Sequence, residues 1–140
     1  MLSDAQALEV ARNCRIVAVV GMTDGSKPGR PSFEIPLMLK QRGIEVLPVN
    51  PNIKEALGVA AVPCLAELSL APDVVTVFRR SEAIPGLAEE LLALPPEKRP
   101  KTVWLQTGIS HPESEEILEK NGYQVVSDKC IGVLVARAGR

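Results

Sequence analysis

The chain has 140 residues, 46% of them hydrophobic, 24% charged and 3% aromatic, with a formal net charge of -1. That length normally makes one domain with one real core, and the composition is that of a globular rather than a disordered chain. The near-neutral charge excludes nucleic-acid binding by bulk electrostatics, and so few aromatics leave no stacking platform for single strands.

The start M-L-S-D-A-Q-A-L-E carries acid early, unlike a secretory signal, and no apolar run is long enough to span a bilayer. Ser3 with Gln6 has capping-box spacing and predicts a short helix ending near Asn13. Arg15 to Gly21 reads R-I-V-A-V-V-G, the β-branched run of a buried strand closed by glycine. The next segment, M-T-D-G-S-K-P-G-R-P-S, leads into a helix expected from about Ser32 to Arg42 and stopped by Gly43. Pro36 is awkward there, because beyond the first turn a proline removes a backbone bond. Either the helix begins later or its first turn is irregular.

Ile44 to Val49 is the second strand, followed by an N-P-N turn at Asn50 to Asn52. In the ambiguous stretch that follows, Val59 to Val62 is read as a short third strand and Cys64 to Leu68 as a helical turn. Val74 to Phe78 is a fourth strand, Pro85 to Leu94 a helix, and Thr102 to Gln106 a fifth strand. Ser110-His-Pro-Glu113 has capping-box spacing and opens a helix ending at Asn121-Gly122. Gln124 to Val126 and Ile131 to Ala136 are read as short final strands. Strands rich in Val and Ile without polar alternation belong to a parallel sheet covered on both faces. The whole chain, 1–140, is therefore expected to be a single α/β domain, a Rossmann-like doubly wound, mainly parallel sheet with order 3-2-1-4-5.

A strand that turns through glycines into a helix N-terminus makes a cradle for phosphate, with backbone N–H groups pointing inward and the helix dipole adding positive potential. Ligand contacts in such a sheet come from the carboxyl ends of the strands at the switch point. The first strand supplies Gly21, Met22, Thr23, Ser26, Lys27, Arg30 and Ser32; the second Asn50, Pro51 and Lys54; the fourth Arg79, Arg80 and Ser81. Lys27, Arg30, Lys54, Arg79 and Arg80 thus place five cations around one crevice of a weakly acidic protein.

The glycine spacing G-x-x-x-G-x-x-x-G is neither the dinucleotide pattern G-x-G-x-x-G nor a Walker loop. Enzymes that bind NAD usually present an acid after the second strand for the ribose diol. Here that position reads V-N-P-N with Lys54 beyond, which suits a ribose that bears a phosphate. Phe78 and Trp104 read as core.

These stretches, I-V-A-V-V-G-M-T-D-G-S-K-P-G-R-P-S, G-I-E-V-L-P-V-N-P, D-V-V-T-V-F-R-R-S-E-A-I-P, V-W-L-Q-T-G-I and V-V-S-D-K-C, resemble in order and over nearly the whole chain the stand-alone CoA-binding domain proteins. Those are small relatives of the N-terminal CoA-binding domain of the succinyl-CoA synthetase α subunit. The resemblance implies coenzyme A lying across the switch point. The loop from Gly21 to Ser32 would hold the pyrophosphate, Asn50 to Lys54 would meet the adenosine end, and Phe78 to Ser81 would border the nucleotide. The synthetase's second domain, with its phosphorylated histidine, and its nucleotide-binding partner subunit do not fit within this chain. The only histidine, His111, sits in a helix-capping sequence.

No metal-ligand spacing is present. Cys14, Cys64 and Cys130 are odd in number and widely spaced, so they are expected to be reduced thiols in a cytoplasmic protein, with Cys130 a small core residue. The expected function is non-enzymatic binding of CoA or acyl-CoA. A nicotinamide-dependent oxidoreductase domain and a regulatory subunit whose bound nucleotide controls a protein partner are the alternatives.

Overall fold

The computed structural model describes all 140 residues. Its centre is β1 (Ile16–Val20), a run of aliphatic residues that alternates between two cores. Val17 and Val19 join one apolar cluster, while Ala18 and Val20 join the other. β2 (Glu45–Val49) pairs parallel with one edge of β1. Further along come a two-residue β3 (Glu55–Ala56) and β4 (Val59–Ala60), then β5 (Val74–Val77), β6 (Thr102–Leu105) and β7 (Gln124–Val126). The five long strands form a fully parallel sheet of order β2-β1-β5-β6-β7. The chain reverses direction of travel between β1 and β5, and that is the switch point of a doubly wound fold.

Helices α1 (Asp4–Asn13), α2 (Pro31–Gln41) and α5 (Ile131–Arg137) cover one face, and α3 (Ile84–Ala93) and α4 (Pro112–Lys120) the other. The capping box at Ser3 and Gln6 is present, each residue bonding the other's backbone N–H. The Rossmann-like class and the inner strand order follow the expectation from sequence.

Three local readings are corrected. Val59 and Ala60 do not extend the sheet but close a small antiparallel hairpin with β3. β4 lies beside β2, but only Val62 pairs with the sheet, through a single parallel bridge to Val49, so the third strand beyond β2 is one residue long. Ile131 to Ala136 is helix, not strand. Ile131, Leu134 and Val135 are buried and Val133 is exposed, the i, i+3, i+4 stripe of a helix hidden in a β-branched run. The cap of α4 is His111 rather than Ser110: its Nδ1 accepts from Ser114 N–H, and Glu115 reaches back to the His111 amide at 2.7 Å.

The carboxyl end of α1 is closed from far along the chain. Arg140 Nη1 donates to the carbonyls of Ala11 (3.0 Å) and Cys14 (2.6 Å), and Arg42 donates to the Arg140 carbonyl. A cation on the last carbonyls of a helix also complements its dipole. Burial pushes the Cys14 thiol beside it up from its ordinary range. Arg140→Ala should cost about 1–2 kcal/mol and lower Tm by roughly 3–6 °C in thermal unfolding. An unchanged Tm would mean that water replaces the guanidinium without loss.

Candidate functional site

At the switch point β1 and β5 leave the sheet side by side. Gly21 has φ +82°, and a Cβ built on it would stand 2.4 Å from the Phe78 carbonyl oxygen. No side chain fits, so only glycine lets the two strand tips close together. The Gly21 amide donates across to Val49 of β2, and the Phe78 amide to Val20 of β1. The loop therefore starts from three strand ends stitched at one place.

From there residues 22–30 arch away and return at α2. Gly25, at φ +84°, lies against the Phe33 ring, where a Cβ would come within 2.8 Å. Ser26 N–H donates to Asp24 Oδ1 at 3.0 Å, an Asx-turn. The hydrogen bonds from Ser26 hold the exposed Asp24 carboxyl below the usual carboxylate range. The base of the arch is tied twice between Thr23 and Ser32: hydroxyl to hydroxyl at 3.0 Å, and Thr23 N–H to Ser32 carbonyl at 3.2 Å.

The second tie is made possible by Pro36. In a regular helix the Ser32 carbonyl accepts from the amide four residues on. That residue is the buried Pro36, which has no N–H and whose ring crowds that carbonyl. The freed acceptor turns outward and takes Thr23 instead. The residue that looked misplaced in the sequence thus anchors the loop.

The main-chain amides of Gly25, Lys27, Gly29, Arg30 and Ser32 have no acceptor within the protein. Arg30, the N-cap of α2, makes no side-chain cap, so this helix end is open as well. Unpaired amides at a glycine-bent helix start are what an anion requires.

The predicted site residues fall into two groups. Met22 and Asn50 build the loop: the Met22 side chain is fully buried, and Asn50 Nδ2 donates to its carbonyl at 2.9 Å. Asn50 Oδ1 accepts from Asn52 N–H, so its amide is already committed at both ends. Pro51 is exposed in that turn. Lys27, Arg30, Lys54, Arg79 and Arg80 are in no ion pair and make no side-chain hydrogen bond. Ser26 is exposed, whereas Phe78 is half-buried and packs on the α1/α2/α5 core. Ser81 Oγ accepts from Ser110 N–H and joins the β5 and β6 loops.

Sequence reasoning did not single out Gln106, a fully buried amide at the tip of β6. Its Oε1 accepts from Thr76 Oγ1 and from Ile131 N–H, both at 3.1 Å. Its position just past an apolar strand was the available signal. A concavity of about 530 Å³ lies at the opposite, amino edge of the sheet, and Lys101 is its only cation.

A fully parallel sheet covered on both faces, with its switch point between β1 and β5, is a fold of Rossmann type. The comparisons narrow the class: residues 15–136 match the family model described as a CoA binding domain, and the chain belongs to that family. It is 40% identical over 131 residues to the uncharacterized protein YneT of Bacillus subtilis (strain 168), covering 94% of this chain and 93% of that one. A solved Thermus thermophilus structure shares 36% identity with a TM-score of 0.87, over 98% of this chain and 99% of that chain. The fold also recurs in a dinucleotide forming acetyl-coenzyme A synthetase 1 of Ca. Korarchaeum cryptofilum. That match has 22% identity and a TM-score of 0.63, over 84% of this chain and 26% of that chain.

Pro36→Val keeps an apolar side chain but restores an N–H, which should reclaim the Ser32 carbonyl. The Thr23 amide should then exchange with deuterium at least about tenfold faster. Removing a helix-interior proline should at the same time leave global stability equal or higher. Continued protection of Thr23 would show that the loop does not depend on the proline.

Proposed function

We propose that this protein binds coenzyme A, free or acylated, through the Gly21–Ser32 loop, and that it does so without catalysing a reaction. The observation that carries this is the contrast among its cations. Lys40, Lys98, Arg99 and Arg140 are tied to carbonyls, and Arg12, Lys120 and Lys129 to carboxylates. Of the eight cations with no ion pair or side-chain hydrogen bond, five (Lys27, Arg30, Lys54, Arg79 and Arg80) follow the ends of the strands at the switch point, and Arg15, Lys101 and Arg137 lie elsewhere. Unpartnered charges on segments that follow neighbouring strand ends suit a ligand carrying several phosphates, and the unpaired loop amides suit its pyrophosphate. Family membership supports coenzyme A as that ligand.

In this reading Lys54, past the end of β2, meets the ribose phosphate, and Arg79 and Arg80 flank the pyrophosphate. Pro51 and Phe78 border the adenosine. NAD is disfavoured because the β2 end offers a committed amide and a lysine where its ribose diol would need a carboxylate. The non-enzymatic assignment is supported by His111, whose Nδ1 is occupied as a helix cap. Three unpaired cysteines suit a reducing, cytoplasmic setting.

CoA should raise Tm by mass action, with NAD at equal concentration doing so much less. Equal stabilisation by NAD would favour an oxidoreductase domain instead.

Calorimetric titration of wild type and Lys54→Ala with CoA and dephospho-CoA makes a double cycle. Loss of the phosphate, or of the lysine, should each weaken binding roughly 10- to 100-fold, and the two losses together should not add. Simple additivity would remove Lys54 from that phosphate.

A further inference from the structure

The order of the loops on the carboxyl edge sets the direction of the ligand. With the ribose phosphate beyond β2 and the pyrophosphate after β1, continuing in the same direction takes the pantetheine arm over β5 and β6 toward β7. Neighbouring strands lie about 4.8 Å apart, which puts the tips of β1 and β7 about 14 Å from each other. The arm is about four residues long in extended length, again about 14 Å.

Past the tips of β6 and β7 the structure has a second cavity, about 440 Å³, lined by residues of α1 and α5. Leu8, Val133 and Leu134 give it apolar walls, with Thr107, Lys129 and Cys130 at its polar side. The Thr107 hydroxyl is exposed and makes no bond within the protein, while Lys129 Nζ holds Asp4 at 2.7 Å. The volume lies in the range of small-molecule sites.

Continuity with the phosphate loop comes from α2 and Gln106. Gln106 Nε2 donates to the half-buried Cys130 Sγ at 3.9 Å, linking the cavity to the β5 and β6 tips. Around Gly132, the position a Cβ would take lies 3.7 Å from Cys130 Sγ, 3.1 Å from Met38 Sδ and 3.4 Å from Ile35 Cγ2. Ile35 is one turn from Ser32, so the helix that closes the phosphate loop also stands beside Cys130.

We infer that the cavity between α1 and α5 receives the thiol end of the bound coenzyme, with a short aliphatic acyl chain packed against Leu8, Val133 and Leu134. This rests on the coenzyme A reading, and the test separates the two. The probe is the mixed disulfide of CoA with thionitrobenzoate, used on the full chain. The Cys130 thiolate attacks the CoA sulfur, a Cys130–S–S–CoA bond forms, and thionitrobenzoate leaves with the electron pair of the broken bond. One disulfide is exchanged for another and no oxidant is needed.

The same reagent made with glutathione supplies the intrinsic reactivity of each thiol. Relative to it, the CoA reagent should favour Cys130 over Cys64 by at least about tenfold. Mass spectrometry should find one CoA on the Cys130 peptide, suppressed by excess CoA and absent from Cys130→Ser. Butyryl-CoA should also bind about tenfold tighter than CoA, a preference that Val133→Trp should abolish. CoA that raises Tm yet shows no Cys130 preference would overturn the placement and leave the ligand assignment standing. No rise in Tm would overturn both.

Discussion

The fold and the site both turn on the contact between Gly21 and the Phe78 carbonyl. Two parallel strands can diverge into a phosphate-sized gap only if their tips first come together, and here they do so with no room for a side chain. The amides at that point run outward in both directions, Gly21 to β2 and Phe78 to β1. This makes the three strands around the switch point one rigid frame. The loop, the β2 turn with Lys54 and the arginines after β5 are all displayed from it. A pre-formed site of this kind loses little conformational entropy on binding.

The loop is held at its base and left open at its crown. Thr23, Ser32, Asn50 and the buried Met22 do the holding. The amides of Gly25, Lys27, Gly29, Arg30 and Ser32 and the five cations at the switch point are left without partners in the protein. Residues of the same motif therefore divide into builders and presenters, a distinction that spacing alone does not carry. Asn50 shows it best: from sequence it stands where ribose would be met, but both ends of its amide are engaged by the loop and its own turn.

The sheet was legible because aliphatic runs in a doubly wound fold are continuous and bounded by turn residues. The first helix was legible because Ser3 and Gln6 leave a spacing that few other structures use. Where reading failed, two physical signals competed. In I-G-V-L-V-A the β-branched content argued strand, and the burial stripe that makes it helix appears only once Val133 is seen to face outward. Glu55 to Ala60 was obscure because a two-residue hairpin strand is too short for any period to emerge. Pro36 was visible as an anomaly, but its meaning depended on Thr23 lying across the loop, a non-local fact.

The tie between Arg140 and the end of α1 has a kinetic consequence. Arg140 is 129 residues from Ala11. On the other side of the helix, Leu2 N–H reaches Val125 of β7. α1 is thus held by partners from the far end of the chain and has no strand of its own to pair with. Contacts of such high contact order form late in folding. In native-state fluctuations, α1 is the natural unit to detach first as a separate foldon. Its departure would bare Cys14 and widen the space beside α5 while the parallel sheet and the loop at its switch point stay intact.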